Sequence, residues 1–309
     1  MGEILMLRGR IVTGSTAIDD GVIAVDGEHI AYVGPASGFP GAGEPEQSGL
    51  ARAGEFILLP GLVDLHCHGG GGSDFSEGSA QAARSAARFL HGTGTTTLLA
   101  SLVTASSGAM LRNLHAIRSV VEEGLIAGAH LEGPFLSPHQ HGAHDPALLR
   151  EPDPVLLSEL LAAAGSTLAS MTCAAELPGM LELVDQLTAR GVVPSLGHTE
   201  ADAATAADFL QRAALGLSRG TNSATGPAVR PTVTHLFNLC TTVRPVPSRP
   251  ASPKHGPEGR WWNLSPMAST LPPTRSGWCS IWSGLTTSPS SQIRWRPRAS
   301  GTDGTPSAA

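Results

Sequence analysis

A chain of 309 residues, 41% hydrophobic and 15% charged with a formal charge of −6, is long enough to bury a sizeable core and too apolar to stay unfolded as a whole. No apolar run approaches the length of a bilayer span, and the opening MGEILMLRGRIV lacks the basic-then-apolar layout of a signal peptide, so a soluble, cytoplasmic protein making no membrane contact is expected. Cys67, Cys173, Cys240 and Cys279 show no CxxC spacing, which argues against a disulfide framework or a zinc ribbon and for reduced thiols.

Residues 1–55 form short alternating runs punctuated by Gly and Asp-Gly, the pattern of a small antiparallel β unit. Beyond them, apolar runs at 56–65, 95–103, 126–131, 168–173, 192–196 and 232–237 are each short enough for a buried parallel strand. Ala/Leu-rich helical stretches lie between them, at 79–91, 109–123, 154–164 and 177–190. Six β/α units are legible in this way, and two more would close an eight-stranded barrel. The stretch 218–231, SRGTNSATGPAVRP, has the composition of an inserted loop.

After Val243 the material changes. The last 66 residues hold all five Trp and 11 of the 24 Pro, and carry a charge of +6 against −12 for the residues before them. Their Arg residues follow no helical or strand period, so no element would present them as one face to a nucleic acid, and none is expected as a partner.

Groups able to bind a metal recur at the ends of the expected strands: His66 and His68 after the first, Glu132 after the third, His198 after the fifth and His235 on the sixth. In a β/α barrel the C-terminal strand ends share one mouth, so these positions would converge. A spacing of two on an extended strand points His66 and His68 the same way. Imidazole nitrogen and carboxylate oxygen suit zinc or iron, and such an ion lowers the pKa of a bound water toward neutrality. By contrast, His91 and His115 on helices read as ordinary surface or core histidines. The glycine run 69–72 lacks the Lys-Ser/Thr of a phosphate-binding loop and reads as a tight turn. Ser101 and Ser195 lie in no Gly-x-Ser-x-Gly setting, which disfavours a serine hydrolase.

Four strings, LPGLVDLHCHGGGG at 59–72, HLEGPFLSPHQHGAHDP at 130–146, SLGHTEADAATA at 195–206 and TVTHLFN at 232–238, resemble the N-acetylglucosamine-6-phosphate deacetylases of the amidohydrolase superfamily. The resemblance implies an α/β fold: a metal-dependent (β/α)8 TIM-type barrel, here incomplete, with a small N-terminal β-sandwich, and a homodimer as the usual assembly. It implies hydrolysis of the acetamide of N-acetylglucosamine 6-phosphate to glucosamine 6-phosphate and acetate. By the same resemblance Glu132, His198 and His235 match the principal metal ligands, and His66 with His68 the pair used where a second ion binds. Zinc is the expected metal, with iron an alternative and one or two ions in place. Ala143, His144 and Asn238 match substrate contacts.

The family's proton-transferring Asp, in a Val-Thr-Asp string on the eighth strand, is not readable in this chain, so no catalytic acid or base is assigned. With suitable degenerate third bases, the nucleotides encoding residues 290–300 read from the third position give Val-Thr-Asp-Ser-Met-Ala-Ala-Ala-Gly-Leu. The same shift over residues 265–270 gives Ala-Asp-Gly-Val-His, a second family string. These strings suggest a frameshift just after Asn238, and a three-part organisation: a small β unit at 1–55, the barrel at 56–238 and an out-of-frame, unstructured tail at 239–309. A chain so altered is expected to be poorly stable and nearly inactive. Two other functions share the metal groups: hydrolysis of a cyclic amide by another amidohydrolase, and a non-catalytic metal-binding remnant.

Overall fold

The structure, a computed structural model, describes residues 4–40, 56–220 and 229–236. The tail from 239 onward, Asn238, Cys240, Cys279 and most of the expected loop at 218–231 lie outside the described residues. The described chain divides into two compact units, the boundary falling between Gly61 and Leu62.

The first unit is a four-stranded sheet. Strands β1 (Ile4–Val12), β2 (Ala17–Asp26) and β3 (His29–Pro35) run antiparallel, and β4 (Ile57–Leu58) lies parallel to β1, in the order β3-β2-β1-β4. Asp26 pairs with His29 across a two-residue loop in which Gly27 has φ 59°, the positive angle that a primed hairpin turn requires at its first central position. Arg8 grips Asp20 across β1 and β2 through two hydrogen bonds of 2.8 and 2.9 Å. Among the described residues this unit is one sheet; the second layer of the expected sandwich is not among them.

The apolar run at 56–65 is divided between the two units. Pro60 and Gly61 interrupt it, so its first part joins the small sheet as β4 and its second begins a new sheet as β5 (Leu62–Cys67). A ring lacking an N–H followed by a residue without a Cβ is poor ladder material, which explains the break.

The second unit is a parallel sheet of six strands: β5, then β8 (Thr95–Val103), β9 (Gly128–Glu132), β10 (Leu168–Cys173), β11 (Val193–Leu196) and β12 (Thr232–Val233). Between β5 and β8 a small hairpin pairs β6 (Gly69–Gly70) with β7 (Ser73–Asp74). Its loop residues Gly71 and Gly72 have φ 62° and 84°, and a Cβ on Gly71 would meet the Phe89 ring at 2.7 Å. The glycine run is therefore a close-packed turn.

Helices α1 (Ala80–Gly92), α2 (Ser107–Glu122), α3 (Pro154–Ala164), α4 (Met180–Ala189) and α5 (Ala203–Gly220) follow the strands. Their starts carry local signals: Ser79 accepts from the Ala82 N–H, Ser106 from that of Ala109, and Asp153 from those of Val155 and Leu156 ahead of Pro154 in the first turn. Their apolar stripes, including Met110, Leu114, Ile117, Leu157, Leu160, Leu183 and Phe209, are buried with Leu98, Leu102 and Leu131 of the sheet in one core. Among the described residues no helix is long and apolar enough to cross a membrane.

Candidate metal centre

Sequential order in the sheet puts every strand's C-terminal end on the same rim. Glu132 closes β9 there, 3% exposed, and five imidazoles face its carboxylate. Its Oε1 lies 3.0 Å from His198 Nε2, 3.0 Å from His235 Nε2 and 3.5 Å from His66 Nε2. Its Oε2 lies 3.2 Å from His68 Nε2 and 3.4 Å from His144 Nε2. His66 and His68 project the same way, with their Nε2 atoms 3.1 Å apart. His66 also stands 5.0 Å, centroid to centroid, from His235, although β5 and β12 are the two outer strands of the described sheet.

Six of the eight residues singled out from the sequence thus meet at one point. Ala143 is exposed on the loop beside buried His144, and Asn238 lies outside the described residues. His91 instead bridges the Thr95 and Leu125 carbonyls, and His115 is exposed on α2, both away from the centre. Ser101 and Ser195 have local duties: the Ser101 hydroxyl accepts from the Cys67 N–H, and that of Ser195 bonds Thr234.

Hydrogen-bond partners decide which imidazole nitrogens can bind a cation. A carbonyl oxygen only accepts, so His198 donates Nδ1–H to Gln140 O at 2.8 Å, and His68 donates Nδ1–H to Ser101 O at 3.2 Å. In each neutral ring the remaining Nε2 carries a lone pair aimed at Glu132. Two electron-rich atoms 3.0 Å apart need a proton or a metal ion between them, and three or more such donors from separate strands suit a divalent ion. His144 is different. Its Nδ1 accepts from the Thr104 N–H at 3.3 Å, which leaves Nε2–H as a donor pointing into the site. The ligating atoms of His66, Glu132 and His235, and those of Glu132, His144 and His198, form two groups each within 4.8 Å, sharing the carboxylate.

Electrostatics reinforce this arrangement. Burial pushes the Glu132 carboxyl up, but hydrogen bonds from His144, and from His198, His235 and His66 when their Nε2 atoms carry a proton, outweigh it and hold it well below the usual carboxylate range. Desolvation pushes the His68 imidazole down, and the adjoining Glu132 carboxylate more than restores it, so it titrates above its ordinary value. At His66 desolvation prevails over Glu132 and the imidazole titrates below its ordinary value. Burial raises the Cys67 thiol to about 11, so it offers little thiolate near neutral pH.

A profile described as the amidohydrolase family matches residues 57–231, more than half of the chain. The chain belongs to the amidohydrolase family. This amidohydrolase is similar to the N-acetylglucosamine-6-phosphate deacetylase of Bacillus subtilis, 31% identical over 216 residues that cover 67% of the chain and 54% of that relative. It is also similar to the deacetylase of the same name from Bos taurus, 34% identical over 190 residues covering 59% of the chain and 42% of the relative. Among solved structures, a variant of the Mycobacterium smegmatis N-acetyl-D-glucosamine-6-phosphate deacetylase in complex with N-acetyl-D-glucosamine 6-phosphate superposes with a TM-score of 0.64. It is 33% identical and covers 77% of this chain and 57% of its own. The chain spans about half the length of the relatives it matches.

Behind the metal-binding groups this amidohydrolase carries a buried polar network that sequence reasoning missed. His130, 2% exposed, contacts Ser170 Oγ at 2.7 Å through Nδ1 and Thr172 Oγ1 at 3.1 Å through Nε2. Burial, helped by His66, holds its pKa well below the ordinary value, so it packs as a neutral ring. From Thr172 the chain of hydroxyls continues to Thr234 at 2.9 Å and Ser195 at 2.7 Å, anchoring the residue immediately before His235. The signal was present as polar residues inside otherwise apolar strands, which must find partners when buried. Thr172→Val should leave His130 Nε2 and the Thr234 hydroxyl each short of a partner. The expected result is a lowered urea midpoint equivalent to about 1–3 kcal/mol, measured on the metal-free protein. An unchanged midpoint would mean that the hydroxyl chain contributes nothing to stability.

Proposed function

We propose that this amidohydrolase carries the metal centre of an N-acetylglucosamine-6-phosphate deacetylase, built to release acetate from the 2-acetamido group and leave glucosamine 6-phosphate. The observation that carries the reading is the division of labour around Glu132: lone pairs from His198 and His68 on one side and an N–H from His144 on another. An amide hydrolase requires both, a cation site and a donor able to hold the developing oxyanion. The 31–34% identity to deacetylases supports the sugar phosphate as substrate.

Glu132, His198 and His235 are the principal ligands in this reading, with His66 and His68 completing the site, and zinc is the metal of choice for such nitrogen and oxygen donors. A zinc ion held there would supply an activated water and polarise the acetamide carbonyl. His144 Nε2–H donates to the acetamide oxygen, and Ala143 and Asn238 border the sugar. The residues divide functionally into a small β unit at 1–55, a barrel at 56–238 and a tail at 239–309 that is an out-of-frame reading of the last two β/α units. Read in frame, those units would close an eight-stranded barrel, complete a β-sandwich with the small β unit and support a homodimer. A cytoplasmic setting, with neither nucleic acid nor membrane as partner, fits a small phosphorylated sugar as substrate.

The chain as it stands lacks the aspartate that would pass a proton to the departing amine, and its deacetylation is correspondingly impaired. The reading is tested by loading the chain with zinc and measuring acetate released from N-acetylglucosamine 6-phosphate, alongside ring opening of dihydrouracil as a cyclic amide. Residual turnover confined to the sugar phosphate supports it. Turnover of the cyclic amide alone would overturn it, as would rapid deacetylation at the rate of an intact enzyme.

A further inference from the structure

His198 carries its imidazole on a backbone that few residues adopt willingly. Its φ is 51°, in the left-handed region, where a side chain with a Cβ is strained. Such a conformation persists only where the neighbouring turn over-determines it.

The turn that does so is built around Glu176, three residues beyond the end of the adjacent strand β10. One carboxylate oxygen accepts a short hydrogen bond from the Thr199 hydroxyl, and the other accepts the Glu200 N–H at 2.8 Å. The Thr199 oxygen is itself filled, because it accepts from the Ala175 N–H at 3.2 Å and the Ala201 N–H at 3.1 Å. Its single proton therefore has nowhere to go except Glu176. From the opposite side the Ser137 N–H donates to the His198 carbonyl at 2.9 Å.

We infer that Glu176 is a positioning residue: by clamping Thr199 and Glu200 it locks His198 in the left-handed conformation, with Nδ1–H on Gln140 and Nε2 free toward Glu132. Only a carboxylate meets the requirement. It must accept at both oxygens, whereas the glutamine amide has one acceptor and one N–H2 group, so Gln would set a donor against either the Thr199 O–H or the Glu200 N–H. The inference rests on the proposed metal site only for its consequence in metal affinity; the backbone and tautomer claims stand apart from it.

The test uses the full chain labelled with 15N-histidine, with His198→Gln serving to assign the His198 signals. In the metal-free wild type, His198 should appear as a single tautomer protonated at Nδ1. In Glu176→Gln that signal should shift to a mixture of tautomers, and Co2+ affinity, measured by competition with a chromophoric chelator, should fall by about 10–100-fold. Thr199→Val should reproduce both changes and Thr199→Ser, which keeps the hydroxyl, should restore both. This pair answers the question even if Glu176→Gln folds poorly. A Glu176→Gln protein keeping the wild-type tautomer would overturn the inference, and so would loss of the tautomer in Thr199→Ser. Failure of the wild type to bind Co2+, with the tautomer changes intact, would instead overturn the metal reading and leave Glu176 in its role.

Discussion

Glu132→Gln is expected to reduce zinc affinity by more than about a hundredfold, beyond the range found for groups that merely orient metal ligands. The carboxylate is the hub of the centre, touched by imidazoles from β5 and just beyond it, from the loop after β9 and from beyond β11 and β12. Gln removes the negative charge that compensates the ion. It also puts an N–H2 group opposite nitrogen lone pairs, so the amide occupies the donors a metal would use. Zinc should raise the urea midpoint of the wild type and leave that of the variant unchanged. Wild-type zinc binding by Glu132→Gln would show that the carboxylate is not at the centre of the site.

Supplying the codons after Asn238 in the shifted frame is expected to raise acetate release from N-acetylglucosamine 6-phosphate by about 10²–10⁴-fold, the usual worth of a positioned proton-transfer group. With suitable degenerate third bases, the shifted frame would read Val-Thr-Asp where the present one reads residues 290–293, and Ala-Asp-Gly-Val-His where it reads 265–270. Replacing the Asp of the restored string by Asn should return the rate to that of the present chain without changing zinc content. If the reframed protein releases acetate no faster than the original, the tail is not a displaced copy of the family's last two units.

The parts of this fold that were legible are those where one physical signal acts alone. Apolar runs of strand length between Ala/Leu-rich stretches gave β8 and β10 their observed bounds, because buried parallel strands are apolar on both faces. Helix α3 was equally clear as an Ala/Leu-rich stretch, and Asp153 caps it in the structure where that stretch begins. The run at 56–65 was misjudged because continuous hydrophobicity says nothing about which sheet a segment joins; Pro60 and Gly61 carried that information. In the site, charged or ligating side chains at strand ends stood out against an apolar background. Gln140 and Glu176 did not, because their work is done through carbonyl and turn hydrogen bonds that leave no periodic trace. The left-handed backbone of His198 and His235 was likewise hidden, since neither is a glycine.

Six strands laid flat would separate the outer two by about 24 Å at the usual inter-strand spacing. Yet the rings of His66 and His235, borne on those outer strands or just beyond, are 5.0 Å apart. A cation bridging them would act as a clasp, rewarding curvature across the whole width of the sheet. Its affinity and the resistance of the curled sheet to flattening are then two readings of one free energy, and each tenfold rise in free ion above the dissociation constant would tighten the curl by about 1.4 kcal/mol.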